Sequence, residues 1–135
     1  MVDNGFTNSE NGVTTKLSSL SVEESVALFI EIVKGRGMQL FAIIDHSAQA
    51  RDVGLELRET TLVIFGNAVS GTPIMVASPL ASLDLPLKVI IWSDQGQTKV
   101  SYYTPSTLAV RHNLSLSLAG SLAGIDALTD ALVAS

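Results

Sequence analysis

The sequence predicts an α+β fold: a two-layer sandwich with helices packed on one face of a mostly antiparallel sheet. Three observations predict it. Apolar runs of strand length alternate with segments of helical periodicity from about residue 12 to the end of the chain. A hairpin late in the chain, residues 87–93 and 98–103 around Asp94-Gln95-Gly96-Gln97, cannot belong to a purely parallel sheet, whose strands need long crossovers. Finally, 135 residues that are 47% hydrophobic suit one domain with a core of its own.

The elements follow in the order β-α-β-α-β-α-β-β-α-α. Residues 1–11 read as a flexible lead-in rich in Asn and Gly, so the domain is expected over residues 12–135. Residues 12–18 alternate weakly (Val13, Thr15, Leu17) as a first strand. Ser21 and Glu24 make a capping box, behind which Val22, Val26, Phe29, Ile30 and Val33 recur at helical spacing until Gly35 and Gly37 end the helix. Residues 39–45 are a continuous apolar run, expected as a central strand, and residues 47–53 make a short helix closed by Gly54. Residues 60–65 form a second buried strand. The small-residue loop from Gly66 to Thr72 follows, and Thr72-Pro73 is the expected cap and first position of a helix carrying Ile74, Met75 and Ala77. Residues 83–86 connect into the hairpin. Thr104-Pro105 then starts a helix through His112, and Leu118, Leu122, Ile125, Leu128 and Leu132 form a helical stripe near the end of the chain.

Composition excludes several functions. Without cysteine there are no disulfides, thiolate metal sites or cysteine nucleophiles. Net charge is −5, and the basic residues are scattered singly, so a nucleic-acid partner is not expected. The first residues lack the basic-then-apolar order of a signal peptide. The longest apolar stretch, residues 114–125, is short for a span and broken by serine and glycine, which leaves no membrane partner and a cytoplasmic setting as the expectation. The low charged fraction, 16%, favours a homo-oligomer that hides apolar surface.

Polar and glycine positions gather at strand ends. Gly66, Asn67, Gly71 and Thr72 lie between a strand and a helix, where backbone N–H groups are free to hold an anion or polar ligand; alternatively, Asn67 satisfies its own backbone. The loop lacks the lysine of a P-loop and the spacing of a dinucleotide fingerprint. Asp45-His46 ends a strand: His46 is a candidate general base or ligand, while Asp45 is equally a helix cap. Tyr102 either donates into a site near His46 or is a core tyrosine with a satisfied tip, and His112 is either a ligand or a residue favoured in a helix's last turn. Two histidines with Asp45 or Asp84 are a weak metal signal, so neither a metal nor a cofactor is assigned. No G-x-S-x-G elbow occurs. These residues together suggest a composite ligand site. An enzyme with His46 as base, oriented by Asp45 or Asp84, is the alternative, and a purely structural dimerisation domain is the third reading.

Several motifs in order carry a resemblance: Ile44 to Ala50, Gly54-Leu55, FGNAVSGTPIM from Phe65, Asp84-Leu85-Pro86-Leu87, Tyr102-Tyr103-Thr104-Pro105 and Arg111-His112. Together they resemble the bacterial and archaeal family known as domain of unknown function 302 over residues 13–133. The resemblance implies a TATA-box-binding-protein-like α+β fold, a homodimer and no established activity. It also implies that Asp45-His46 is part of a family motif. This chain departs at Ala68, where the family usually has proline, which loosens the loop expected there.

Overall fold

The computed structural model describes residues 9–135; residues 1–8, most of the predicted lead-in, lie outside the described residues. The sheet has six antiparallel strands: β1 (Ser9–Glu10), β2 (Val13–Ser18), β3 (Gln39–Asp45), β4 (Thr60–Gly66), β5 (Leu87–Asp94) and β6 (Gln97–Tyr103). Their spatial order is β1-β2-β6-β5-β4-β3. The helices are α1 (Val22–Gly35), α2 (His46–Asp52), α3 (Ala68–Ala77), α4 (Pro105–Arg111), α5 (Leu116–Gly120) and α6 (Gly124–Val133), with a 3-10 helix at Pro79–Leu83. The α+β sandwich read from the sequence is the fold.

The core lies where α1 and α6 meet the sheet. Ser21 Oγ accepts from the Glu24 N–H and Glu24 Oε1 accepts from the Ser21 N–H, so the capping box sets the start of α1 and with it the phase of its apolar stripe. That phase brings Phe29 and Val33, both fully buried, toward Val63, Phe65, Val89 and Ile91 of the sheet. The Phe29 and Phe65 rings meet edge to face, with centroids 5.3 Å apart. Truncating such a residue, Phe29→Ala, is expected to cost about 3–5 kcal/mol. From α6, Ile125, Leu128 and Leu132 join the same core.

Four expectations are corrected. Ser9–Glu10 belong to the predicted lead-in yet pair with β2. The turn between them is Asn11-Gly12, both at positive φ, a two-residue hairpin signal that the sequence carries openly. The run at residues 39–45 is an edge strand, not a central one, and β3 accordingly leaves Phe41 and Ile43 about half exposed. The third helix begins at Ala68 rather than after Thr72, because the Asn67 side chain caps it, and Pro73 lies inside it. The C-terminal stripe is split into α5 and α6. The stretch Leu116–Val133 matches a membrane span in length and composition only; its Leu122, Ile125, Leu128 and Leu132 are core residues.

Candidate functional site

At one end of the sheet, β4 feeds through Gly66 and Asn67 into α3. Asn67 is extended (φ −147°), and its Oδ1 accepts the Val69 N–H at 2.8 Å. The Ser70 and Gly71 N–H groups both bond to the Asn67 carbonyl. The first-turn donors of Val69, Ser70 and Gly71, expected to be open to a ligand, are therefore spent on the helix itself. Gly66 is buried, and a Cβ there would stand 3.4 Å from both the Phe41 ring and Pro86 Cβ, in ordinary van der Waals contact with the side chains that cover the strand end.

The same segment walls a cavity of about 200 Å³. Ile74 and Met75 of α3 line it together with Met38 just before β3 and Phe41 within it, Leu85, Pro86 and Leu87 at the entry to β5, and Leu122 after α5. Gly66, Asn67, Gly71 and Thr72 line it too, so the fold brings these four sequence-predicted residues together. Among the described residues, its polar side chains are Asn67, Ser70, Thr72 and Ser121, and no ionisable side chain lines it.

The other predicted residues stand elsewhere. Antiparallel pairing sets Gln39 opposite Gly66 but Asp45 opposite Thr61. Asp45-His46 therefore stands at the far end of β3, about 20 Å from the cavity end at ~3.3 Å per residue. Asp45 caps α2: its Oδ1 accepts the Ser47 hydroxyl at 2.6 Å and the Ala48 N–H at 2.9 Å. These two hydrogen bonds hold its carboxyl below the ordinary range. His46, in the first turn of that helix, is exposed.

Tyr102 is buried on the helix-covered face, where its hydroxyl donates to Asp126 Oδ1 at 2.5 Å. Burial first, and then the Asp126 carboxylate, push its pKa well up. Lys16, almost fully buried, completes this cluster: Nζ donates to Thr129 Oγ1 and Asp130 Oδ1, both at 2.7 Å, and lies 5.3 Å from the Tyr102 ring centre. Tyr102 thus ties the sheet to α6 and does not line the cavity. Sequence reasoning missed Lys16, although a signal existed: Val13, Thr15 and Leu17 set one phase of β2, and Lys16 falls in the opposite, core-facing phase with Ser18.

His112 closes α4 and pairs with Asp84, whose Oδ2 lies 2.6 Å from Nε2; Arg111 Nη1 donates to the same oxygen at 3.0 Å. Burial raises the Asp84 carboxyl, but the hydrogen bonds from His112 and Arg111 together outweigh it, leaving the group below its ordinary range. The pair sits directly before Leu85-Pro86, and hence beside the cavity wall. Asp84, considered from sequence as a partner for His46, is instead the partner of His112. Among the described residues no three His, Asp or Glu side chains converge as a metal set would.

A family model described as "Domain of unknown function DUF302" matches residues 13–132. Among curated proteins, the chain is 38% identical over 109 residues to "Fluoride-specific ion channel FluC 1" of Brucella suis biovar 1 (strain 1330), covering 80% of this chain and 43% of that protein. A protein of the same name from Brucella abortus biovar 1 (strain 9-941) matches at 38% over 80% of this chain and 40% of its own length. The chain therefore spans about two fifths of the curated relatives it matches. Among solved structures, "Crystal structure of uncharacterized conserved protein DUF302 from Bacillus stearothermophilus" superposes with a TM-score of 0.78 at 18% identity, covering 93% of this chain and 98% of that one. At that identity the likeness concerns the fold.

Proposed function

The chain belongs to the DUF302 family, and on that premise we propose that it is a ligand-binding module for a small, uncharged, largely apolar molecule held in the cavity beneath α3. The observation that carries this reading is the lining: Met38, Phe41, Ile74, Met75, Leu85 and Leu122 supply the walls, and among the described residues no ionisable group lines it to offset the charge of an ionic ligand. Size agrees. An apolar cavity of about 150 Å³ accepts benzene, so about 200 Å³ suits a molecule of one ring with a few substituent atoms. Asn67, Ser70, Thr72 and Ser121 provide the few polar contacts that orient a ligand in such sites.

An accessory, sensing role fits this better than a self-contained enzyme, because the longer relatives named as fluoride channels match the domain over only part of their length. The domain is also taken to act as a homodimer, in keeping with its low charged fraction of 16%. Titration with toluene, followed by NMR and by thermal melting, tests the binding reading. Toluene is expected to shift the Met75 and Leu122 methyl resonances and raise Tm, and Gly71→Leu, which adds four carbons beside Met75 Cε, is expected to abolish both effects. No shift in the wild type, or an unchanged response in Gly71→Leu, contradicts the reading.

A further inference from the structure

His112, beside the cavity, has incomplete hydrogen bonding among the described residues. Its side chain is only 8% exposed, and Nε2 is committed to Asp84 at 2.6 Å. Nδ1 has no partner among the described residues. His112 lines a second void of about 10 Å³, room for no more than one water molecule. Three residues, Ile74, Leu85 and Leu122, line both this void and the larger cavity, so one layer of apolar side chains separates the imidazole from the cavity. Of the three, Leu85 is the least constrained: it is partly exposed and stands in the connector before β5, whereas Ile74 and Leu122 are buried.

We propose that the ligand of this cavity carries a single O–H or N–H donor at the end of its apolar body, and that this donor bonds to His112 Nδ1 once Leu85 gives way. The inference rests on the cavity being the ligand site. Asp84 is the positioning residue. A carboxylate accepts only, so Nε2 must carry a proton and Nδ1 of the neutral imidazole is left as an acceptor. Arg111, on the same Asp84 oxygen, keeps that carboxylate ionised and in place. The charged groups facing the imidazole are thus Asp84 directly and Arg111 through it. The ligand class that follows is an uncharged phenol-like or azole-like molecule rather than a hydrocarbon or an acid.

Phenol and toluene, which are nearly equal in size, make the test on the whole chain at neutral pH. Phenol is expected to bind wild type about tenfold more tightly than toluene, the scale of one buried hydrogen bond. His112→Leu should erase that preference while toluene affinity persists, and Asp84→Asn should weaken the preference by freeing the tautomer. If His112→Leu does not fold, the wild-type ¹⁵N spectrum still decides: phenol, but not toluene, should move the Nδ1 resonance of His112. Equal affinities with Nδ1 unmoved, the pattern expected if the small void holds only a water, overturn the inference but leave the cavity reading standing. Binding of neither probe overturns both.

Discussion

Two Asp–His pairs occur in this chain, and they have opposite characters. Asp45 and His46 are adjacent in sequence, yet the aspartate caps α2 and the histidine is exposed. Asp84 and His112 are 28 residues apart, yet they share a 2.6 Å hydrogen bond beside an apolar cavity. Adjacency along a chain puts two side chains at one helix end, where the backbone claims the carboxylate. Coupling of the two groups requires the fold to bring separate elements together, here the 3-10 helix before β5 and the end of α4.

Of the two pairs, breaking the distant one has the larger expected effect. Asp84→Ala leaves a buried imidazole and Arg111 without their shared acceptor, and is expected to cost about 2 kcal/mol, read from urea unfolding. The pH dependence sharpens the same point. Because the folded carboxyl lies below its ordinary 3.8, its contribution is complete above that value and is lost as pH falls through the lower folded value. Asp84→Asn should therefore flatten the loss of stability below about pH 4, relative to wild type. Asp45→Ala removes a helix cap and should cost about 1 kcal/mol. His46→Ala, at an exposed position, should stay within about 0.5 kcal/mol and leave toluene binding unchanged. A His46 variant that unfolds or loses binding breaks the contrast.

Much of the fold was legible because local signals agreed with the tertiary structure. The Ser21–Glu24 box, the Gln95-Gly96 turn and the Thr104-Pro105 start each act within a few residues, and each appears in the structure. Elements failed where two signals competed. Asn67 and Thr72-Pro73 both look like helix starts, and only the Asn67 side chain bonded to the Val69 N–H decides between them. Residues 39–45 are apolar enough for a central strand, but sheet order is a long-range property and put them at the edge. Of the loop residues Gly66 to Thr72 grouped from sequence, all but Val69 line one cavity. Their neighbours were not legible: Leu85 comes from the connector before β5, Leu122 from the turn after α5 and His112 from the end of α4, and nothing in their spacing shows it.

On the proposed reading, small molecules enter at α3 beside His112, not at His46. Intermolecular NOEs from bound phenol test it most directly. Contacts to the Met75, Leu85 and Leu122 methyl groups are expected. Contacts to the His46 ring and α2, with none to those methyls, would contradict it.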